Sequence, residues 1–314
     1  MPIEIVKYNS GAKVRWDAFV NASRNGTFLF LRDYMDYHSD RFTDYSLMFY
    51  RDSKLLAVLP ANICNNGKRI VSHGGLTYGG FVLHSDTKAC DMIEIISELK
   101  NLMQECGIEQ MVYKPVPYIY NTVPSEEPLY ALFQAGARLS ARSISTTIDN
   151  QEPLKFSKLR KRCISKAIKN GIECHESENY GEFWDILTTI LQARHDSAPV
   201  HTREEIELLH DRFPNNIKLY IAYRKGEAVA GIVVYETART AHFQYIAASD
   251  EGCSTGALDM LISYLIENVY SGKRYIDFGT STEQGGTYLN EGLIKQKEGF
   301  GGRAVVYDTY ELNI

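Results

Sequence analysis

The sequence has no apolar stretch near the roughly 20 residues a membrane-crossing helix needs, so membrane insertion is not expected. Paired cysteines are missing too. Cys64, Cys90, Cys106, Cys163, Cys174 and Cys253 are scattered with no CxxC, which speaks against a disulfide frame or a zinc ribbon and for reduced thiols. The eight histidines show neither HxxxH nor HExxH, so no metal is expected. No GxxxxGK[ST] loop or dinucleotide fingerprint occurs, and the glycine-rich SHGGLTYGG (72–80) lacks that order. Positive charge is not in excess: 34 Lys and Arg face 39 Asp and Glu, a net charge of −5. That balance argues against a DNA-binding protein and allows only a local basic patch. MPIEIVKYNS carries no signal-peptide pattern, and a cytoplasmic location is the expectation.

What is present is a globular composition and an internal repeat. With 314 residues, 44% of them hydrophobic, about two domains are expected. SLMFYRDSKLLAVLPANIC (46–64) reads as two strands around a polar turn, and KLYIAYRKGEAVAGIVVYE (218–236) repeats that pattern. Tyr50-Arg51 and Tyr223-Arg224 precede the two turns. Each hairpin is followed by a further strand, at 68–74 and 241–249, then by an amphipathic helix, at 90–107 and 255–272, and then by a short strand. The reading is α/β (α+β), with domains at 1–150 and 151–314.

Between the halves, KFSKLRKRCISKAIKNG (155–171) has no acidic residue and an apolar helical stripe. It is either a solvated face or a polyanion site, with Lys158, Arg160 and Arg162 as candidate contacts. Arg194 and His201 flank a proline-containing loop, where a histidine can act as a base. His73 and Tyr78 sit in the glycine-rich turn as candidate acceptor contacts. Asp277 and Thr280 close a central strand, a usual position for ligand contacts in α/β folds. In the closing GGTYLNEGLIKQKEGFGG, Asn290 can cap a helix that Gly299 ends. Glu291 stands four residues before Lys295, which gives that lysine an ion-pair partner and leaves Lys297 without one.

The duplicated unit, LRKRCISKAIKNGIECHE (159–176) and GLIKQKEGFGG (292–302) together resemble the FemAB-like branch of the GNAT acyltransferases. The resemblance implies two tandem GNAT-like domains with mixed sheets flanked by helices. It also implies transfer of an acyl or aminoacyl group to an amine, on a cell-wall or polysaccharide precursor. The implied donor is acyl-CoA, with aminoacyl-tRNA as the alternative; a non-catalytic binding protein of the same fold is the competing class. The resemblance further implies that Lys297, with Phe300, lies at the transfer site, and that Gln244 and Tyr245 lie on the strand lining it. In the CoA pyrophosphate position it places Ser254, Thr255, Gly256 and Ala257. There DEGCSTGALD (250–259) lacks the family's leading Arg or Gln and brings Asp250 and Glu251.

Overall fold

The computed structural model describes residues 2–195 and 197–314, the side chains of residues 194 and 195 excepted. The chain forms two compact units: Met1–Ser143 with Gln284–Thr287 and Val306–Ile314, and Ile144–Glu283 with Tyr288–Val305.

In chain order the first unit holds β1 (Glu4–Lys7), α1 (Lys13–Ala22), α2 (Arg32–Met35), β2 (Thr43–Asp44), β3 (Leu47–Arg51) and β4 (Lys54–Leu59). It continues with β5 (Asn62–Cys64), β6 (Arg69–Val71), β7 (Val82–Leu83), α3 (Ala89–Glu105), β8 (Gln110–Tyr113) and α4 (Glu127–Gln134). β9 (Arg138–Asp149) begins in this unit and ends in the second. The second unit holds α5 (Lys158–Lys169), β10 (Ile172–Ser177), α6 (Tyr180–His195), α7 (Arg203–Arg212), β11 (Ile217–Arg224), β12 (Glu227–Glu236) and β13 (Thr240–Ala248). After these come α8 (Asp250–Thr255), α9 (Ala257–Tyr264), β14 (Tyr275–Thr280), β15 (Thr282–Glu283), β16 (Tyr288–Leu289) and α10 (Glu291–Glu298), with β17 (Arg303–Asn313) returning to the first unit. Among the described residues no helix is long and apolar enough to cross a membrane.

Strand order in the first unit is β1-β3-β4-β7 in one sheet and β17-β8-β6-β5-β2 in another; the second unit orders β10-β11-β12-β13-β14-β9. The two cores follow the sequence periodicity. Met92, Ile95, Ile96, Leu99 and Met103 of α3 pack among Phe49, Leu59 and Phe81. Leu261 and Ile262 of α9 pack among Ile232, Val234 and Phe243.

The two hairpins agree in detail. Asp52 and Ser53 in the first turn, and Lys225 and Gly226 in the second, all have positive φ, the backbone of a type I′ turn. In each hairpin the register slips at the tyrosine: Phe49 faces Ala57 but Tyr50 faces Leu55, and Ala222 faces Ala230 but Tyr223 faces Ala228. The carbonyls of the extra residues, Leu56 and Val229, accept the backbone N–H of His84 and Ser249, where the chain leaves its third strand. Arg51 then pairs with Asp91 in the first turn of α3, and Arg224 pairs with Glu251 in the first turn of α8. One expected correspondence is corrected. Residues 69–71 do form a strand, but it pairs with β5 and, in parallel, with β8. The strand that pairs with the hairpin, as β13 does with β12, is Val82–Leu83.

The helix expected over 255–272 is also different. It begins five residues earlier, at Asp250, breaks at Gly256, and closes in a π-helical turn over Leu265–Val269. Gly256 has φ +83, and a Cβ there would lie 2.4 Å from the Cys163 carbonyl oxygen of α5. Only glycine combines that backbone with that approach. Gly256→Ala should therefore lose on the order of 2–3 kcal/mol, from left-handed strain plus displacement of α5. A urea midpoint equal to wild type would show that α5 can move away without cost.

Candidate active site in the second unit

β13 and β14 run parallel, pairing Thr240 with Tyr275, Ala241 with Ile276 and His242 with Asp277. Beyond that point each strand carries a register irregularity against its other neighbour: β13 at Gln244, opposite Val233 and Val234, and β14 at Phe278-Gly279, between Asp277 and Thr280. Beyond the paired segments, a cavity of about 310 Å³ is lined by Ile246, Ala247 and Ala248 of β13 and Phe278 of β14. α6 contributes Leu187, Ile190 and Leu191; α8 and α9 contribute Cys253, Leu258 and Ile262. The remaining wall is Leu293, Gln296 and Lys297 of α10, with Phe300 behind them. A concave apolar pocket with a few polar groups is the usual form of a small-molecule site.

Lys297 is the cationic group of that wall, and it is only 5% exposed. Leu293 and Lys297 are one turn apart, so helix α10, capped by the Asn290 side chain on the Leu293 N–H, presents both to the cavity. The Lys297 ammonium donates to the carbonyl oxygens of Gly279 at 2.8 Å and Thr280 at 2.9 Å. An ammonium has three N–H donors, so two hold the side chain and one is left for a ligand oxygen. Burial pulls the pKa of this lysine from 10.5 down to about 8, against the opposing pull of the Asp277 charge. Lys295, two residues away, is exposed and pairs with Glu291 at 2.6 Å.

Beneath Lys297 lies a polar cluster. Asp277 is fully buried; its carboxylate accepts hydrogen bonds from the hydroxyls of Ser145 and of Thr147, the latter at 2.9 Å, and meets His242 Nδ1 at 2.7 Å. The expectation that Asp277 contacts ligand is thus corrected: it is enclosed by its own partners. Thr280 serves through its carbonyl, on Lys297.

The other expected residues separate into groups. His201 Nδ1 and the Tyr245 hydroxyl are 2.5 Å apart, and Trp184 lies against the Tyr245 ring while its indole N–H donates to the His201 carbonyl. Gln244 is the half-buried residue of the irregularity in β13. The Arg194 side chain lies outside the described ones. Phe300 is buried, packing edge-on against Phe156 and face-on against Phe278. Arg160 is not available to touch a ligand, because Asp259 holds it at 2.6 Å and its guanidinium lies over the Phe300 ring. Lys158 and Arg162 are exposed on α5 beside Lys161, Lys166 and Lys169. His73 and Tyr78 belong to the first unit and are each 2% exposed. Burial, helped by nearby positive charge, pushes His73 down to about 3, so it stays neutral; the Tyr78 hydroxyl donates to Thr27. Neither offers a surface to an acceptor. The sequence reading missed the α6 wall, whose apolar residues look like ordinary core, and the two carbonyls that hold Lys297, which no side-chain pattern announces.

The CoA pyrophosphate does not fit at 254–257. Thr255 is buried with its hydroxyl donating to the Glu251 carbonyl, Gly256 is closed by Cys163, and Ala257 is core. The Ser254 hydroxyl likewise donates to Glu251. At the start of α8 the Ser249 side chain takes the Gly252 N–H, and Asp250 and Glu251 stand where an anion would approach. At the start of α9 the carboxylate of Asp259 is already in place. Helix starts bind phosphate when their N–H groups and dipole face it; here a serine takes the Gly252 N–H, and Asp250, Glu251 and Asp259 stand in the first turns.

Residues 157–288 match the family described as an acetyltransferase (GNAT) domain. No curated protein matches the chain in sequence. Among solved structures, FemX shares 12% identity at a TM-score of 0.68, over 99% of this chain and 97% of that one. The C-terminal domain of a putative lysylphosphatidylglycerol synthetase from Agrobacterium fabrum shares 11% at 0.61, over 97% and 92%. A tandem GNAT protein from the clavulanic acid biosynthesis pathway shares 10% at 0.53, over 99% and 98%. By this match residues 157–288 are a GNAT acetyltransferase-type domain, and the chain as a whole has a fold similar to those of FemX and of the tandem GNAT protein.

Proposed function

We propose that the chain transfers an aminoacyl group from an oxygen ester, carried by tRNA, to an amine of a cell-wall or polysaccharide precursor. The observation that carries this reading is the Lys297 ammonium, fixed by two carbonyls at an apolar cavity and keeping one donor for a developing oxyanion. The misfit of the CoA pyrophosphate and the exposed basic face of α5 favour a tRNA ester over a thioester of CoA. The similar folds of FemX and of the putative lysylphosphatidylglycerol synthetase give further support. In this proposal the tandem domains fall at 1–150 and 151–314, and the second carries the chemistry.

The step balances without a protein nucleophile. The acceptor nitrogen bonds to the ester carbon, whose oxygen gains negative charge against the Lys297 N–H. When that intermediate collapses, the bond to the donor oxygen breaks, and the proton lost by nitrogen goes to the departing alcohol. The protein positions both reactants and stabilises charge. Removing one such charge interaction costs roughly 3 kcal/mol, on the order of a hundredfold in rate. Lys297→Met is expected to fold and lose about that much, while Lys295→Met keeps wild-type turnover in the same aminoacyl-transfer assay. Equal rates for the two variants would remove Lys297 from the reaction.

The pH profile tests which form of Lys297 works. Its pKa is lowered to about 8, so the cation predominates at neutral pH and is lost as pH rises through that value. An oxyanion-stabilising cation gives a rate that falls above pH ~8; a neutral lysine acting as base gives a rate that rises there. A falling limb that is absent in Lys297→Met supports the proposal, and a rising one overturns it.

Replacing Lys158, Lys161 and Arg162 by Gln should weaken tRNA binding. Its dependence on salt should flatten by roughly 0.7–0.9 in log–log slope for each phosphate that these side chains no longer neutralise. Thermal shift checks the donor class, since a ligand that binds only the native state raises the melting point. Aminoacylated tRNA should stabilise the protein and acetyl-CoA should not. Stabilisation by acetyl-CoA with none by tRNA would point to an ordinary CoA enzyme.

A further inference from the structure

We propose that Asp277 is a positioning residue that keeps the Lys297 ammonium charged at the cavity wall, a role that rests on Lys297 being the working cation. Three structural observations lead there. Asp277 is fully buried, at 0% exposure, yet carries an acidic side chain in the middle of β14. An isolated carboxylate in such a place is costly, and here it is met by three donors: the hydroxyls of Ser145 and Thr147 on β9 and the imidazole of His242 on β13. The two carbonyls that hold Lys297 belong to Gly279 and Thr280, immediately down the same strand. A Cβ on Gly279 would come within 3.5 Å of the His242 ring, so the lysine's anchor and the aspartate's partner are packed together.

The other charges around Lys297 are already committed. On its own helix Lys295 is paired with exposed Glu291, and Glu298 is exposed. From α5 and α9, Arg160 and Asp259 neutralise each other. From α8, the cavity is lined by the Cys253 thiol. The carboxylate of Asp277 is the one whose charge acts on Lys297 in opposition to its burial. Carbonyl oxygens can hold either an ammonium or a neutral amine, so the hydrogen bonds to Gly279 and Thr280 fix where Lys297 sits. The negative charge behind them raises its affinity for the proton against the pull of burial.

The test reads Lys297 directly. With lysine labelled at Cε with ¹³C, the signal missing in Lys297→Met identifies this residue, and its titration is followed by NMR in the intact protein. Asp277→Asn keeps the shape and removes the charge. The Lys297 midpoint should fall by about one unit below its wild-type value, and the alkaline loss of activity should move down with it. Thr147→Val removes a hydrogen bond but keeps the charge, and should leave the midpoint in place. If Asp277→Asn does not fold, the triple variant Asp277→Leu, Ser145→Ala, Thr147→Val replaces the polar cluster by apolar groups of similar shape and should give the same downward shift. A Lys297 midpoint unchanged in the neutral variants overturns the inference. A shifted midpoint in a protein where Lys297→Met is fully active would instead keep the electrostatic link and overturn the catalytic reading of Lys297.

Discussion

The site depends on a failure of pairing. β13 and β14 are hydrogen-bonded only as far as His242 and Asp277, and each strand is irregular just where they part. A parallel ladder that continued would have filled the space now lined by Ile246, Ala247 and Phe278. Where the two strands part, Lys297 of α10 donates to the carbonyls of Gly279 and Thr280. The cavity, the lysine's position and its lowered proton affinity thus share one origin.

The repeat was legible because the hairpins use matching residues for matching reasons. Two positive-φ turn residues, a tyrosine at the register slip and an arginine reaching the next helix recur in both, and all but the slip itself leave marks in the sequence. The third strand of the first unit was misplaced because Val82–Leu83 is too short to show an alternating pattern, whereas KRIVSHG shows a convincing one and pairs elsewhere. The helix over 250–264 was misread because its break depends on Cys163, a residue distant in sequence, approaching Gly256.

At the site, sequence reasoning separated Lys295 from Lys297 by finding a partner for the first, and the structure gives that partner as Glu291. It could not see that Arg160 points at Asp259, nor that His73 and Tyr78 are enclosed, since charge and glycine content describe a segment but not what packs over it. Asp277 shows the same limit from the other side. An aspartate at the end of a strand reads as a ligand contact, and only the surrounding hydroxyls and imidazole show it to be buried support.

The path of β17 bears on how the protein is made. Its Tyr310–Asn313 segment pairs with β8 of the first unit, and the hydrogen bond between Gln110 and Glu311 joins residues 201 apart in sequence. On the ribosome, β8 emerges long before the strand that covers its edge. The first unit therefore waits, with that edge open, until the second has been synthesised, and nascent edges of this kind are prone to wrong pairing. The order of synthesis and the order of completion are reversed: the first unit begun is closed by residues that leave the ribosome only after those of the second.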